Sequence, residues 1–200
     1  MHRKVLVIVC ALLLLLPGCG NDPSDVGEEA LPSPQAATGT ASAPQEENSI
    51  DFFAMDTYMT IRAWGAEDEV LQNAEMLVYA LESTLSTTDE NSEIHLLNQT
   101  GEAGLSEDAS FLLGRALALC EETGGALDVS VYPVVRAWGF TAADGVYRVP
   151  EEDEMERLLE KVDYRRVRLA DHTVTLDEGM EIDLGAVTKG YTGDAICALL

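Results

Sequence analysis

The segment 20–49 limits folding to the part of the chain that follows it. It contains four prolines, six acidic residues and no lysine or arginine. Its apolar residues follow neither a helical nor a strand spacing, so it cannot bury enough apolar surface to offset the entropy of ordering. We therefore predict a flexible acidic tether over 19–49 and one folded region over 50–200, which is long enough for a single hydrophobic core.

The leader in front of this tether has the pattern of an export signal. Arg3 and Lys4 precede an unbroken apolar run over 5–16, which is too short to span a bilayer as a helix. Leu-Pro-Gly-Cys follows at 16–19, which predicts a bacterial signal peptide over 1–18 and lipidation of Cys19. An ordinary signal peptide that happens to contain Cys19 is the alternative. Lipidation would hold the exported protein at the outer face of the cytoplasmic membrane. The periplasm is the alternative location.

The charge balance excludes one class of partner. The chain carries 36 acidic and 12 basic residues, a formal net charge of −24, and loss of residues 1–18 would remove two of the bases. Such a surface repels phosphate backbones and anionic lipids, so we expect no nucleic-acid binding through surface charge. Any contact with a membrane must then come from the lipid on Cys19.

The cysteines and histidines form no metal or nucleophile motif. Cys120 and Cys197 each lie among apolar residues of predicted helices, which predicts buried thiols, although a disulfide between them stays open in an exported protein. His95 and His172 are predicted to be surface or internally bonded side chains. The sequence contains no H-E-x-x-H, Walker, G-x-G-x-x-G or G-x-S-x-G pattern.

Helical periodicity is clearest over 67–85, where apolar residues recur at the spacing of one helix face. Ser92 and Ser106 are predicted N-caps of the next two helices, the second running over 107–123. A helix is also predicted over 191–200. It has no glycine, asparagine or proline to end it, so we expect a domain that is incomplete at its C-terminus.

Alternating β-branched and aromatic residues predict the strands. These are one strand over 52–64, one over 126–132, a hairpin over 167–176 and a last strand that begins at Ile182. The segment 134–140 is predicted to be a turn whose Trp138 and Phe140 pack in the core. Mixed helices and hairpins together predict an α+β fold with a mixed or antiparallel sheet packed against helices.

The segment 181–190 is the strongest local indication of a binding site. A strand that ends in Gly185 and leads into a helix presents free backbone N–H groups and the positive end of a helix dipole, which attract anions. Asp183 adds a carboxylate, Lys189 adds a cation, and turn carbonyls are candidate metal ligands. This combination suits a nucleotide phosphate with its magnesium ion. An ordinary strand-to-helix junction has the same local pattern.

Asp128 is the second indication, because an acid inside an apolar strand needs a partner or a function. Gly124 and Gly125 precede it, and paired glycines let a backbone approach a ligand closely. The alternative is a helix C-cap followed by an edge strand.

Four short motifs occur in order along the folded region. They are MDT at 55–57; LST at 85–87 with NSEI at 91–94 and LN at 97–98; GALDVSVYP at 125–133 with WGF at 138–140; and DLGAVTKGY at 183–191. This ordered set resembles the ApbE-type FAD:protein FMN transferases, which are often lipid-anchored and exported. The resemblance covers residues 50–200 and implies the N-terminal part of such a domain.

The resemblance implies a reaction. The family binds FAD with Mg²⁺, cleaves the pyrophosphate and attaches FMN through a phosphoester bond to a threonine of an acceptor flavoprotein. Some members instead hydrolyse FAD to FMN and AMP, and nothing in the residues separates the two activities. A third possibility is a lipid-anchored flavin-binding remnant without catalysis. The family's catalytic groups and remaining magnesium ligands would lie beyond residue 200.

The resemblance also implies site residues, position by position. Ala186 matches the residue whose carbonyl binds the metal. Asp56 stands where the family usually has glycine, and Thr88 stands where it often has an aromatic residue beside the flavin. The positions that match FAD contacts, with Thr88 included, are Met55, Thr88, Ala126, Leu127, Asp128, Asp183 and Lys189.

Overall fold

The structure is a computed structural model that describes residues 46–142 and 145–200, and every structural statement below refers to these residues. The predicted signal peptide, Cys19 and most of the tether lie outside them. The elements in chain order are β1 (Glu47–Ala54), β2 (Thr57–Trp64), α1 (Asp68–Leu85), α2 (Glu93–Thr100), β3 (Glu102–Gly104), α3 (Glu107–Glu122), α4 (Tyr132–Ala137), α5 (Glu152–Leu159), a 3-10 turn (Tyr164–Arg166), β4 (Arg168–Ala170), β5 (Thr173–Thr175) and α6 (Gly185–Leu199).

The first two strands form a hairpin rather than the single strand predicted over 52–64. β1 and β2 pair antiparallel through eight residue pairs, ending with Ala54 opposite Thr57. Met55 and Asp56 form the two-residue turn, with φ of 50° and 55°. Positive φ at both turn residues is the pattern of a type I′ turn, whose usual sequence is Asn-Gly. The prediction was wrong because Met-Asp is not one of the usual two-residue hairpin sequences, so the alternation of the strand was read through the turn.

The second sheet has the strand order β3-β5-β4 and is antiparallel throughout. β4 and β5 form the hairpin predicted over 167–176, again with two residues of positive φ, Asp171 and His172, in the turn. β3 was not predicted, because its sequence, Glu-Ala-Gly, contains no β-branched or aromatic residue. His172 is internally bonded as predicted, since its Nδ1 lies 2.6 Å from Ser110 Oγ.

The predicted helix starts are confirmed for the first three helices. α1 begins at Asp68, close to the predicted residue, and ends at Leu85 as predicted. Ser92 Oγ accepts a hydrogen bond from the His95 N–H at 3.0 Å, and Ser106 Oγ accepts one from the Ala109 N–H at 3.4 Å. Both serines are therefore N-caps, which satisfy donors that a helix start would leave unpaired.

Three predictions in the second half are wrong. Residues 126–132 and 181–184 form no strands; they lie side by side through a parallel bridge between Val131 and Glu181. Val131 already has helical dihedrals as the N-cap of α4, whose first turn contains Pro133, so the turn predicted over 134–140 is confined to 138–140. α6 begins at Gly185 rather than at 191. Its first residues, Gly-Ala-Val-Thr, are small and have no helical spacing of large apolar side chains, so no apolar periodicity marks the start.

The core consists of two apolar clusters, and α1 contributes to both. The smaller joins the β1–β2 hairpin to the first half of α1 and comprises Phe52, Ala54, Ile61, Leu71, Ala74 and Val78. The larger contains Leu81 and Leu85 from the second half of α1, together with buried residues of α2, α3, β5 and the segment before α6. Met55 packs against both clusters. The α+β class predicted from the sequence is therefore the observed one.

The two cysteines of the described part are both free. Cys120 is buried as predicted, and burial raises the pKa of its thiol. Cys197 is exposed on α6, so the prediction of a buried thiol is wrong there. No helix within the described residues is both long enough and apolar enough to cross a membrane.

Candidate functional site

A cavity of about 740 Å³ lies between the turn of the β1–β2 hairpin, the C-terminal end of α1 and the start of α6. Four of the residues predicted as FAD contacts line it: Met55, Thr88, Asp183 and Lys189. Met55, Asp183 and Lys189 belong to two of the four motifs, and Thr88 directly follows a third, LST at 85–87. The structure therefore brings four of the seven predicted FAD contacts together in one place.

Met55 is held at this cavity from two sides. Its backbone N–H donates a hydrogen bond to Glu82 Oε1 of α1 at 2.6 Å. Its sulfur lies 3.8 Å from the hydroxyl of Thr192 on α6, whose proton is donated to the Thr188 carbonyl at 2.9 Å. Glu82 itself lines the cavity. The hairpin turn is thereby fixed against both neighbouring helices.

The loop after α1 places Thr88 at the cavity. Ser86 Oγ accepts hydrogen bonds from the backbone N–H groups of Thr88 at 3.1 Å and Asp89 at 3.0 Å, which closes a tight turn. His95 Nδ1 lies 2.9 Å from the carbonyl oxygen of Thr87. Because a carbonyl only accepts, the imidazole carries its proton on Nδ1 in this contact. Thr88 is exposed at the surface of this loop.

Asp183 and Lys189 enter the cavity from the start of α6. The Asp183 N–H donates to the Val129 carbonyl at 2.8 Å, and Asp183 Oδ1 accepts from the Gly185 N–H at 2.7 Å. The N–H groups of Val187 and Thr188 donate to the carbonyl of Leu184. The prediction that this helix start offers several free N–H groups is therefore wrong, because side-chain and turn hydrogen bonds already use most of them.

The other predicted contacts are placed differently. Ala126, Leu127 and Asp128 are not among the residues that line the cavity. The carboxylate of Asp128 accepts from the N–H of Ser130 at 2.8 Å, from its hydroxyl at 2.6 Å and from the Tyr164 N–H at 3.1 Å. These bonds give the acid the internal partners that its position requires. Ala186 is exposed in the first turn of α6, next to Gly185.

A smaller cavity of about 290 Å³ adjoins the first and shares four lining residues with it, namely Thr87, Thr88, Thr141 and Ala142. Arg136 of α4 forms an ion pair with Glu181 at 2.7 Å there. Burial raises the pKa of the Glu181 carboxyl, and the nearby Arg136 opposes that rise. The ion pair connects α4 to the segment that leads into Asp183. This ion pair could not be predicted from local patterns, because the two residues are 45 positions apart.

An aromatic group forms one edge of the main cavity. Phe140 and Tyr147 line it with 63% and 68% of their surface exposed, so the prediction that Phe140 packs in the core is wrong. Phe140 stacks on Trp138 at 6.3 Å between ring centroids. Gly139 has φ of 82°, and a Cβ there would lie 2.3 Å from the Val146 carbonyl oxygen. Only glycine lets the two arms of this loop approach so closely.

The fold and the site together define a class of protein. The structure superposes on the crystal structure of the ApbE protein of Thermotoga maritima with a TM-score of 0.73 at 27% identity, over 77% of this chain and 52% of that one. It superposes on the flavin transferase ApbE of Vibrio cholerae with a TM-score of 0.72 at 23% identity, over 78% and 53% of the two chains. The latter likeness shows the fold alone.

The sequence gives the particular family. The model of the ApbE family matches residues 55–200, so the chain belongs to the ApbE family. The FAD:protein FMN transferase of Treponema pallidum is 36% identical over 143 residues, which cover 65% of this chain and 38% of that protein. That of Haemophilus influenzae is 29% identical over 140 residues, 64% of this chain and 37% of that protein. The chain thus spans under half the length of these relatives.

Proposed function

We propose that the protein is an FAD:protein FMN transferase that moves FMN from FAD to a threonine of an acceptor flavoprotein. The observation that carries the proposal is the convergence of Met55, Thr88, Asp183 and Lys189 on one cavity. Relatives named as FAD:protein FMN transferases support it over the matched part of the chain. In this reaction the pyrophosphate bond of FAD breaks, AMP leaves, and the FMN phosphorus bonds to the threonine oxygen, whose proton is released.

The site chemistry suits a magnesium ion in part. Mg²⁺ in phosphate-transfer sites is bound through one or two carboxylates together with oxygens of the substrate phosphates. The cavity presents the carboxylates of Asp56, Glu82 and Asp183. In the described part of the chain, no three acidic, histidine or cysteine side chains come close enough to hold a metal by themselves. Asp183 and the carbonyl of Ala186 are the groups we assign to it, and the ion would neutralise charge on the phosphates.

The chain's own residues then bind and orient the substrate. Lys189 lies at the cavity with its cation free to approach a phosphate, where it would stabilise negative charge that develops as the pyrophosphate breaks. Met55 offers an apolar, polarisable surface that is fixed by Glu82 and Thr192. Phe140 offers an exposed ring at the same cavity, which suits stacking on a flat heteroaromatic group.

The location of the protein is part of the proposal. The apolar run over 5–16 and the Leu-Pro-Gly-Cys pattern support export and lipidation at Cys19. The acidic segment over 19–49 would let the domain reach acceptors near the outer face of the membrane. We therefore place the transferase outside the cytoplasmic membrane, anchored by its lipid.

One incubation tests this function. The full-length protein is mixed with FAD, Mg²⁺ and a flavoprotein fragment that carries a candidate acceptor threonine, and the fragment is read by intact mass. A gain of one FMN, abolished by a chelator and by replacement of the threonine with valine, is the expected result. Free FMN and AMP without labelling of the fragment would show that the protein is an FAD hydrolase and not a transferase. Bound but uncleaved FAD would show that the protein carries flavin without catalysing a reaction.

A further inference from the structure

The turn of the β1–β2 hairpin contains a donor that the hairpin itself leaves unpaired. In a two-residue turn the last ladder pair, here Ala54 and Thr57, closes the hydrogen bonds between the strands. The N–H of the first turn residue, Met55, lies outside that ladder. Glu82 Oε1 accepts it at 2.6 Å from a different element, α1.

The same residue has an unusual backbone conformation. Met55 and Asp56 both have positive φ, which non-glycine residues adopt rarely and only where their surroundings enforce it. Contacts on both sides hold it here: Glu82 accepts a hydrogen bond from the backbone, and the sulfur packs against the Thr192 hydroxyl at 3.8 Å. Such held conformations are typical of residues that contact a ligand.

We propose that Glu82 is a positioning residue for FAD binding, acting by fixing the Met55 turn at the edge of the cavity. The inference rests on the proposed function, since it takes FAD as the ligand of that cavity. Glu82 itself lines the cavity, so it sets the position of the turn from within the site. Glu82 contributes to binding through the hydrogen bond that it accepts. Its negative charge does not contribute, because it would repel a phosphate.

The hairpin does not need Glu82 to form. Eight residue pairs join its strands, and Phe52, Ala54 and Ile61 anchor it in the smaller apolar cluster. Removing the Glu82 hydrogen bond should therefore release the tip and leave the body of the hairpin in place. The expected loss is in the affinity for ligand rather than in the folded fraction.

Two conservative variants separate the hydrogen bond from the charge. Glu82→Gln keeps an acceptor oxygen at the same reach and removes the charge. Glu82→Asp keeps the charge and shortens the side chain by one methylene, which withdraws the acceptor from Met55. In the full-length protein we expect Glu82→Asp to raise the KM for FAD about tenfold with kcat close to wild type. Glu82→Gln should stay near the wild-type KM.

The matched control is Glu75→Ala on the same helix, where the glutamate accepts a hydrogen bond from the exposed Tyr79 hydroxyl at 3.2 Å. It should leave the KM unchanged. Impaired Glu82→Gln beside a normal Glu82→Asp would overturn the proposal, because charge would then be the property that matters. Equal KM values in all variants would also overturn it.

Hydrogen exchange of the Met55 amide tests the Met55–Glu82 hydrogen bond without an activity measurement. We expect slow exchange in the wild type and in Glu82→Gln, and faster exchange in Glu82→Asp. If the wild type neither binds nor cleaves FAD, the proposed function fails, whereas this exchange pattern still reports on the hydrogen bond. Equal exchange in the three proteins would show that Glu82 does not hold the turn.

Discussion

Asn98 and Ile182 are joined by two hydrogen bonds across 84 positions of the chain. The Asn98 side chain donates to the Ile182 carbonyl at 2.9 Å, and its oxygen accepts the Ile182 N–H at 2.7 Å. The Asn98 side chain thus pairs both backbone polar groups of Ile182, the residue before Asp183, as a neighbouring strand would. The motif at 97–98 acts on the site through this contact.

Replacing Asn98 should destabilise the protein. Asn98→Ala leaves both backbone groups of Ile182 unpaired in a buried segment, so we expect a loss of about 2 kcal/mol in the free energy of unfolding. Asn98→Asp should also destabilise, because a carboxylate accepts the N–H but repels the carbonyl. Urea unfolding measures both, with the exposed neighbour change Gln99→Ala as a control near zero. Wild-type stability of Asn98→Asp would contradict the two-bond assignment.

The hairpin turn allows a stabilising change. Asp56 has φ of 55°, where an L side chain is strained and glycine is not. We expect Asp56→Gly to raise the free energy of unfolding by about 1 kcal/mol. Ser49→Gly, at an extended and exposed strand position, should lower it by about 0.5–1 kcal/mol. Thermal unfolding compares the two, and a lower melting temperature for Asp56→Gly would refute the turn assignment.

Asp128 has two competing roles that one variant separates. If its carboxylate mainly holds Ser130 and Tyr164, Asp128→Asn should lose about 1–3 kcal/mol of stability, because the new amide faces the Tyr164 N–H with a donor. Chemical denaturation gives the value. A variant of wild-type stability that no longer binds FAD would instead place Asp128 at the ligand, as the family resemblance implies.

Asp183 is the residue whose loss should be felt most in catalysis. We expect Asp183→Ala and Asp183→Asn each to reduce FMN transfer by about a hundredfold or more. The asparagine keeps an oxygen for the Gly185 N–H and should fold as stably as the wild type, whereas alanine should cost about 1 kcal/mol. Acceptor labelling and melting temperature are the two readouts. Wild-type turnover in Asp183→Asn would remove the carboxylate from the site.

Acid sensitivity should be traceable to Asp177. Hydrogen bonds from Arg166 and then Arg168 lower the pKa of its carboxyl below the ordinary value. A depressed pKa in the folded state adds stability above the unfolded-state value, and that stability disappears as the pH falls through the folded-state value. The wild type should therefore melt above Asp177→Asn at about pH 6, with the gap closing below about pH 4. A gap independent of pH would contradict this.

The sequence was sufficient where a local pattern determines structure. The apolar stripe of α1 and the serine caps of α2 and α3 each depend on residues a few positions apart, and all were confirmed. The β4–β5 hairpin was also local. The start of α6 was not recognisable, because its Gly-Ala-Val-Thr beginning has no apolar period and is stabilised by turn bonds around Leu184.

The parts of the site that could not be predicted depend on distant partners. Glu82 lies on an amphipathic helix whose sequence does not distinguish it from other glutamates. The folded chain shows that Glu82 Oε1 lies beside the Met55 N–H. The Arg136–Glu181 ion pair and the Asn98–Ile182 pair are of the same kind. Motif resemblance, by contrast, predicted Asp183 and Lys189 without any knowledge of what surrounds them.

α1 contributes buried side chains to both apolar clusters, so this one helix connects them. Leu71, Ala74 and Val78 belong to one cluster, while Leu81 and Leu85 belong to the other. Melting of either half of α1 would expose the apolar surface that this half has buried and would shorten the helix on which the other cluster packs. The hairpin and the rest of the described domain should therefore unfold in a single cooperative transition. Loosening either cluster would lower the melting temperature of both.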